Sequence, residues 1–353
     1  MALKLNPHHQ LLWHSPSTLQ IGTDSRSVVL PQLTAEQERF IDALYFGIAP
    51  NQLAALTKQI KLPAQQAQQL LDQLRPLLQQ PTDDTCAFGL PGLPPDPAQP
   101  QYPETVWASL QHSVNGQAVL NQRAKRVVQL DKLDSTGLLA MLALAAAGVG
   151  TLVSLDHGVV TQADTGPNGY PEGLIGHSRT SAASLILQAT WPASRLVATN
   201  QLRPSQLDSL DAVLFLAQQV IDPKRYGPWA ARGIAHQTLI FDATGVEVSP
   251  VLRPGTTACL NCQHLHRGQN QQHWAVVSSQ LLTSSLRFDH TANRFIGIGL
   301  AVQVLIGWLD ELGGFGSHAD HGFRYTSQDG QLEQVAWHRN QACPCQLVSA
   351  NAA

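Results

Sequence analysis

Four cysteines in two close pairs constrain this chain more than any other sequence feature. Cys259 and Cys262 form a CxxC pair, and Cys343 and Cys345 form a CxC pair about 80 residues later. Zn²⁺ prefers four ligands in a tetrahedron, and each close pair of thiolates supplies one edge of it. In a chain with no export signal, such pairs favour metal binding over disulfides. The sequence therefore predicts one structural zinc site that ties the C-terminal part of the chain together.

These cysteines have three other interpretations. A redox CxxC stands at a helix start and needs no second pair, and unpaired core thiols need no pairing at all. His264 and His266 flank the first pair, so a mixed Cys/His ligand set is an alternative. Four thiolates would close the coordination sphere, whereas a hydrolytic zinc keeps an open position. We therefore predict a structural metal, and an ordinary unliganded thiol at the fifth cysteine, Cys86.

Length and charge limit the class of protein. The 353 residues are sufficient for two domains, and the net charge of -3 gives no electrostatic reason to bind nucleic acid or an anionic membrane. The amino terminus lacks the pattern of a signal peptide. The apolar run at 138–149 is shorter than the roughly 20 residues that span a bilayer. We expect a cytoplasmic protein with no membrane or nucleic-acid partner.

The first 80 residues have the pattern of a small α+β domain. Short strands are predicted at 11–13, 18–21 and 27–30. A first helix is predicted to begin at Thr34, with its buried stripe at residues 40, 41, 44 and 45, and two more helices are predicted at 50–59 and 63–78. Thr34 and Gln37 have the spacing of a capping box. This order predicts a winged-helix-like domain over 1–80, followed by a proline-rich linker over 81–105. Basic residues are few and the third helix is rich in Gln, so DNA binding is a weak interpretation.

Strands alternate with helices over residues 106–353. The predicted strands are 126–130, 151–155, 195–199, 211–216 and 238–241, with helices at 137–147 and 181–190. This alternation predicts a Rossmann-like, doubly wound α/β domain with a mostly parallel sheet. Its ligand crevice should lie beyond the carboxyl ends of the strands. An apolar helix over 295–312 suits either a subunit interface or an internal core.

Two stretches of this half carry a family resemblance. "MLALAAAGVGTLVSLD" (Met141–Asp156) resembles the nucleotide-binding half of ThiF/MoeB-type proteins, the bacterial relatives of ubiquitin-activating enzymes. "VSPVLRPGTTACLNC" (Val248–Cys262) resembles the strand that leads into that family's first zinc pair. The resemblance covers roughly 124–346. The amino-terminal domain resembles a PqqD-type peptide-recognition domain, and the combination is similar to leader-peptide-binding proteins of azoline peptide biosynthesis.

The resemblance implies a nucleotide site with two retained residues. Active members of the family adenylate a carboxyl terminus with ATP and Mg²⁺. Asp156 stands where the family binds the ribose, and Arg179 stands where it usually has a lysine. His157 follows the same strand, although a lone histidine is more often structural.

The phosphate loop and the magnesium ligand depart from the family pattern. The family's loop is rich in glycine because amide hydrogens must approach the phosphates closely. Here Asp131 and Asp134 stand among the equivalent residues, where they would repel a triphosphate, and Lys132 offsets only one charge. Gln218 replaces the acidic residue that helps to hold magnesium. We therefore expect ATP and Mg²⁺ binding to be lost or weakened.

The leading hypothesis is a protein that binds a precursor or leader peptide and presents it to a partner enzyme. In the family the peptide adds a strand beside the third strand and packs on the third helix. The implied peptide-binding residues are Ser27, Val28, Val29, Leu30, Leu70 and Leu74. The resemblance also implies a homodimer. Two alternatives stay open: an active adenylyltransferase with an unusual phosphate loop, and a small domain that serves only for interaction or dimerisation.

Overall fold

The computed structural model describes residues 2–80, 99–198, 208–313 and 320–345. Its contacts divide the chain into two compact units, Met1–Asn121 and Gln122–Ala353. Cys86 and most of the predicted linker lie outside the described residues.

The N-terminal unit begins with an antiparallel sheet in the order β1-β2-β3. Its strands are Leu11–Ser15, Thr18–Ile21 and Val28–Leu30. The helices that follow are α1 Ala35–Phe46, α2 Leu53–Ile60 and α3 Ala64–Leu74, with single 3-10 turns at Pro50–Gln52 and Arg75–Leu77. The described elements follow the order predicted from the sequence. The winged-helix-like assignment remains a prediction.

Local sequence signals explain these helices. The predicted capping box at Thr34 is confirmed, because its hydroxyl accepts the Gln37 amide while the Gln37 side chain accepts the Thr34 amide. Residues at helical spacing on α1 and α3 then meet the sheet in one core. Its most deeply buried side chains include Leu19, Ile21, Phe40, Leu44, Leu74 and Leu77.

Two further helices follow, α4 Tyr102–His112 and α5 Gly116–Arg123. The Asn6 side-chain amide donates to the Ser109 carbonyl at 2.8 Å, and the Ser109 hydroxyl donates to Asn6 Oδ1 at 3.0 Å. These buried bonds join α4 to the amino-terminal segment. The unit therefore ends at Asn121, further along the chain than the boundary expected at 80–105.

The C-terminal unit contains a sheet that has eight strands within the described residues, in the order β11-β10-β9-β8-β7-β4-β5-β6. The strands are β4 Val127–Leu130, β5 Thr151–Ser154, β6 Arg195–Ala198, β7 Ala212–Gln218, β8 His236–Asp242, β9 Gly245–Val248, β10 His321–Thr326 and β11 Gln331–Ala336. Strands β8, β7, β4, β5 and β6 are parallel, and β9 to β11 are added antiparallel. The predicted mostly parallel α/β sheet is confirmed.

Helices connect and cover these strands. They are α6 Ser135–Ala146, α7 Arg179–Thr190, α8 Pro223–Ala231, α9 Leu260–Asn270, α10 Trp274–Leu281 and α11 Thr291–Leu312. The parallel strands run in the order β6-β5-β4-β7-β8, so the chain reverses its direction of winding between β4 and β7. A ligand crevice is expected at this switch point, outside the carboxyl ends of the strands.

Helix α11 is long and apolar enough to cross a bilayer by length and composition. It contacts α6, β8 and β9, and its buried side includes Leu305, Ile306 and Leu309. Gly297 permits close packing on that side, because a Cβ there would lie 2.8 Å from Val246 and 2.9 Å from Leu239. These contacts identify α11 as a core helix, one of the two roles that the sequence allowed.

Candidate functional site

The four paired cysteines meet at one point. Their sulfur atoms all lie within 4.8 Å of one another. Cys259 Sγ lies 3.8 Å from Cys262 Sγ and 3.6 Å from Cys343 Sγ, and Cys262 Sγ lies 3.5 Å from Cys345 Sγ. Four ligands about 2.3 Å from a tetrahedral zinc ion would be separated by about 3.8 Å. The cluster therefore has the dimensions of a metal site that fits zinc.

Local structure sets the spacing within each pair. Cys259 is the N-cap residue of α9, so Cys262 lies in the first turn of the same helix. The second pair lies in a turn that begins at Asn340, whose carbonyl accepts the Cys343 amide at 2.9 Å. The Asn261 side chain donates to Cys343 Sγ at 3.2 Å. Such a donor stabilises a thiolate, which is the form that binds a metal.

The thiols lie in an apolar shell that includes Trp337 and Leu260. Burial raises the pKa of the Cys259 thiol to about 11. A bound cation opposes this shift because it favours the deprotonated thiolate. Four thiolates with no fifth donor would leave no open position for substrate. The chemistry of the donor set is that of a structural centre.

A separate crevice of about 490 Å³ opens at the carboxyl ends of β4, β5 and β7. Its lining includes Lys132 after β4, Asp156 and His157 after β5, Gln218 at the end of β7 and Arg179 at the start of α7. The two residues proposed for a nucleotide, Asp156 and Arg179, are therefore brought together. Their closest side-chain atoms are 3.4 Å apart.

Backbone amides at the base of this crevice donate hydrogen bonds to carboxylates of the protein. Asp134 caps α6, and its Oδ1 accepts the amides of Thr136 at 3.1 Å and Gly137 at 3.0 Å. Asp156 Oδ2 accepts the amide of Leu133 at 2.7 Å. These three N–H groups lie at the helix N-terminus, where a related fold binds phosphate. Each of these N–H groups already donates to a carboxylate of the protein.

Asp131, which we expected to repel a triphosphate, forms an ion pair within the protein. It is buried against Arg225 of α8, which donates to its carboxylate and to the Leu216 carbonyl. The other carboxylate oxygen accepts the Leu216 amide at 3.0 Å. Burial raises the pKa of Asp131, and the neighbouring charge of Arg225 opposes that rise. Asp131 therefore links β4, β7 and α8, and no sequence pattern near Asp131 indicates Arg225 as its partner.

Asp156 and Arg179 are also engaged within the protein. Asp156 Oδ1 accepts the Gly158 amide at 2.7 Å. Arg179 donates to Asp164 at 2.8 Å, and Asp164 is fully buried. Burial alone would raise the pKa of Asp164, but hydrogen bonds from Arg179 and Thr161 outweigh it and lower that pKa. The two residues thus have structural partners in addition to facing the crevice.

The far wall of the crevice is the segment 284–287, which sequence analysis did not identify. Gln218 Oε1 accepts the Phe288 amide at 2.8 Å and so anchors the end of this wall. Arg287 donates to Asp289 at 2.7 Å. Burial alone would raise the pKa of Asp289, but hydrogen bonds from Arg287 and Thr136 outweigh it and lower the pKa to about 2. This wall is held by bonds between residues far apart in sequence.

In the N-terminal unit, the hydrogen bonding of β2 alternates between its two neighbours. The Gly22 amide donates to the Gln10 carbonyl at 2.9 Å, toward β1. Successive residues of an antiparallel strand bond to opposite sides. Gln20, two residues before Gly22, therefore also bonds toward β1. Leu19 and Ile21 bond in the other direction, toward β3.

This alternation determines the free edge of β3. Leu30 and Val28 are the partners of the two β2 residues that face β3. Val29 lies between them, so its N–H and C=O point away from β2. Among the described residues, no backbone hydrogen bond outside the strand ladder involves Val29. Its side chain is 50% exposed, and its outward backbone groups have no hydrogen-bond partner among the described residues.

Of the other residues proposed for peptide binding, Val28 and Leu30 lie in the same strand but pair with β2. Ser27 precedes β3, and its amide donates to the Asp24 carbonyl at 3.0 Å. Leu30 is buried, as are Leu70 at 4% exposure and Leu74 at 0%. These leucines pack in the core of the N-terminal unit. Of the three residues of β3, Val29 is the exposed one.

Comparisons with solved structures place this architecture among known folds. E. coli MccB with AMPCPP and selenomethionine MccA matches at 10% identity and a TM-score of 0.71, covering 98% of this chain and 99% of that one. The microcin C7 biosynthetic enzyme MccB with N-formylated MccA matches at 13% identity and 0.67, covering 98% and 100%. Selenomethionine PaaA matches at 14% and 0.65, covering 94% and 99%.

At these identities the likeness is one of fold, and the fold is the one that this chain shares with MccB. No family model matches the chain, and no curated protein matches it.

Proposed function

We propose that this chain binds an extended peptide segment and presents it to a partner enzyme, without activating that segment with ATP. The structural neighbours include MccB in complex with N-formylated MccA, which supports a peptide partner for a chain of this fold. The proposal rests chiefly on one observation, the open edge of β3 at Val29.

The open edge offers a direct mode of binding. An extended peptide that lies beside β3 would donate to the Val29 carbonyl and accept from its amide. Such strand addition takes its affinity from backbone bonds and its selectivity from side-chain pockets. The strand is three residues long, so Val29 would be the centre of the pairing. The leucines beneath it would then position the strand without touching the peptide.

Hydrogen bonds and charges at the base of the crevice disfavour activation by ATP. A triphosphate needs backbone amides and compensating cations, and the amides of Leu133, Thr136 and Gly137 already bond to carboxylates. Burial lowers the pKa of Lys132, and Arg225 repels its charge further. Opening this network would cost several buried or half-buried hydrogen bonds, each about 0.5–1.5 kcal/mol or more when charged. We therefore propose that adenylation is lost.

A second candidate function is that of an active adenylyltransferase. The match to MccB with AMPCPP, a nucleotide analogue, favours it. The crevice also lies where this fold binds nucleotides, with Asp156 and Arg179 on its wall. In that case the two carboxylate caps would have to move when the nucleotide enters. Binding of Mg-ATP separates the two candidates.

The remaining proposals concern stability and assembly. We propose that the cysteine cluster holds one structural zinc ion, and that the chain is a cytoplasmic homodimer with no role for nucleic acid. A ThiF-like relationship supports the dimer. Analytical ultracentrifugation of the full chain tests it, and a concentration-independent monomer would remove it.

Strand addition predicts that Val29→Pro weakens peptide binding by about 2- to 12-fold, the value of the one backbone hydrogen bond that proline removes. Proline removes the outward amide donor, and the peptide loses about 0.5–1.5 kcal/mol for each backbone bond that the ring prevents. A proline whose missing N–H faces the open edge leaves the β2–β3 ladder intact. The measurement is fluorescence anisotropy with a peptide selected from a random displayed library on the full chain.

Val29→Thr is the matched control, because it keeps the amide and the β-branched shape. We expect Val29→Thr to bind the selected peptide within about twofold of the parent chain, and both variants to show the thermal unfolding of the parent. Equal affinity of the proline and threonine variants would show that the peptide does not pair with this edge.

A further inference from the structure

A second pocket lies in the C-terminal unit, between α8, α9 and α10. Its volume is about 580 Å³, which falls in the range of about 300–1,000 Å³ typical of small-molecule sites. The apolar part of its wall includes Ile221, Leu265, Trp274 and Leu282. It shares no lining residue with the crevice at the ends of the parallel strands.

A few polar groups converge on this apolar wall. Among the described residues, the Tyr226 hydroxyl has no hydrogen-bond partner, and it belongs to a lining residue. Asn261 also lines the pocket, and its amide donates to Cys343 Sγ, which leaves its carbonyl oxygen available. The Trp274 indole donates to His264 Nδ1 at 3.4 Å, and the two rings stack with centroids 6.2 Å apart.

Helix α10 forms one side of the pocket in an unusual way for an apolar helix. None of its residues is buried, although its sequence is WAVVSSQL. An apolar helix normally buries one face against a partner. The residues of α10 that line the pocket are Trp274, Ala275, Ser278 and Ser279. This face of the helix therefore borders a cavity in place of a packed core.

Charge complementarity restricts the ligand. The lining contains no Lys, Arg, Asp or Glu side chain. An ion placed there would lose its hydration with no opposite charge to replace it, which is costly. A neutral ligand with a flat apolar surface would pack between Trp274 and Leu265, and a hydroxyl on it would meet Tyr226 or Asn261.

We infer that this pocket is a binding site for a small, neutral aromatic molecule that carries a hydrogen-bonding group. It is independent of the proposed peptide site and of any nucleotide chemistry. Its position beside Asn261 also places it next to the cysteine cluster.

The test uses 4-fluorophenol as the probe and ¹⁹F relaxation on the full, metal-loaded chain as the readout. We expect saturable binding. Ala275→Trp, which fills the pocket from α10, should weaken it at least tenfold. Val276→Trp is the matched control, because Val276 is 56% exposed on the same helix and does not line the pocket. That variant should bind as the parent does.

Charge and hydrogen bonding are tested with related probes. 4-Fluorobenzoate and 4-fluorobenzylamine should not bind. Tyr226→Phe should weaken the binding of 4-fluorophenol by about 2- to 12-fold, the value of one hydrogen bond. The same variant should leave the binding of fluorobenzene unchanged. Metal content and thermal unfolding verify that each variant is folded. No saturable binding of 4-fluorophenol, equal binding of the charged probes, or an unaffected Ala275→Trp variant would each overturn the inference.

Discussion

Cys262→Ser is expected to abolish stoichiometric metal binding and to unfold the region around the cysteine cluster. Cys262 is fully buried, and its sulfur lies within 3.8 Å of two others. Structural zinc contributes about 10–16 kcal/mol of apparent binding free energy in small zinc domains, and that free energy is available for folding. Elemental analysis should give one zinc per parent chain and a small fraction of that in the variant. Chelation of the parent should lower its unfolding temperature in the same way.

The chain provides its own control for this experiment. Cys86→Ser removes the fifth cysteine, which we predict to be an ordinary thiol, and it should keep one zinc per chain. Full zinc content in Cys262→Ser would contradict the four-thiolate site. Loss of zinc from Cys86→Ser would show that the predicted ligand set is wrong.

The second large effect concerns a buried ion pair in the C-terminal unit. Arg123 donates to both carboxylate oxygens of Asp310, at 2.7 and 2.8 Å, and to the Ala147 carbonyl at 3.0 Å. Both side chains have 0% exposure. Asp310→Ala leaves the guanidinium buried without its counter-charge, which costs about 3–5 kcal/mol. Urea unfolding should therefore show a large fall in midpoint with an unchanged m-value.

The double variant Arg123→Met with Asp310→Leu distinguishes the lone charge from lost packing. Replacing both partners with apolar groups of similar size is often close to neutral. We expect this variant to be more stable than Asp310→Ala alone. If Asp310→Ala lowered the free energy of unfolding by less than about 1 kcal/mol, water would have to reach the pair, contrary to its burial.

Much of the fold could be predicted because its signals are local. The capping box at Thr34 fixes the start of α1, and the strands predicted at 126–130, 151–155 and 211–216 become β4, β5 and β7. The cysteine pairs required only their spacing. These features depend on a few neighbouring residues, so the sequence alone carries them.

The rest depends on contacts between distant residues. Arg225 meets Asp131 across 94 positions, and nothing near either residue indicates that pairing. The sequence predicts that this loop disfavours phosphate because Asp131 and Asp134 are acidic and because the family's glycines are missing. The structure adds that Asp134 and Asp156 occupy the loop amides. Gly137 is needed there for close approach, since a Cβ would lie 2.1 Å from the Lys132 carbonyl.

The peptide-binding residues could not be separated from core residues by sequence alone, for the same reason. Leu70 and Leu74 have the spacing of an apolar helix face, but a sequence cannot tell a face that meets a peptide from one that meets the core. In the structure both are core residues. The open edge at Val29 follows from the alternation of bonds along β2, which becomes visible only when the strands are paired.

We propose that carboxylates of the protein exclude ATP because they occupy the amides that a triphosphate would need. Isothermal titration calorimetry of Mg-ATP into the zinc-loaded full chain tests this most directly. We predict no saturable heat, with unfolding temperatures that are equal with and without Mg-ATP. Saturable binding with a micromolar dissociation constant, lost on Asp156→Ala, would contradict the account and identify the chain as an adenylating enzyme.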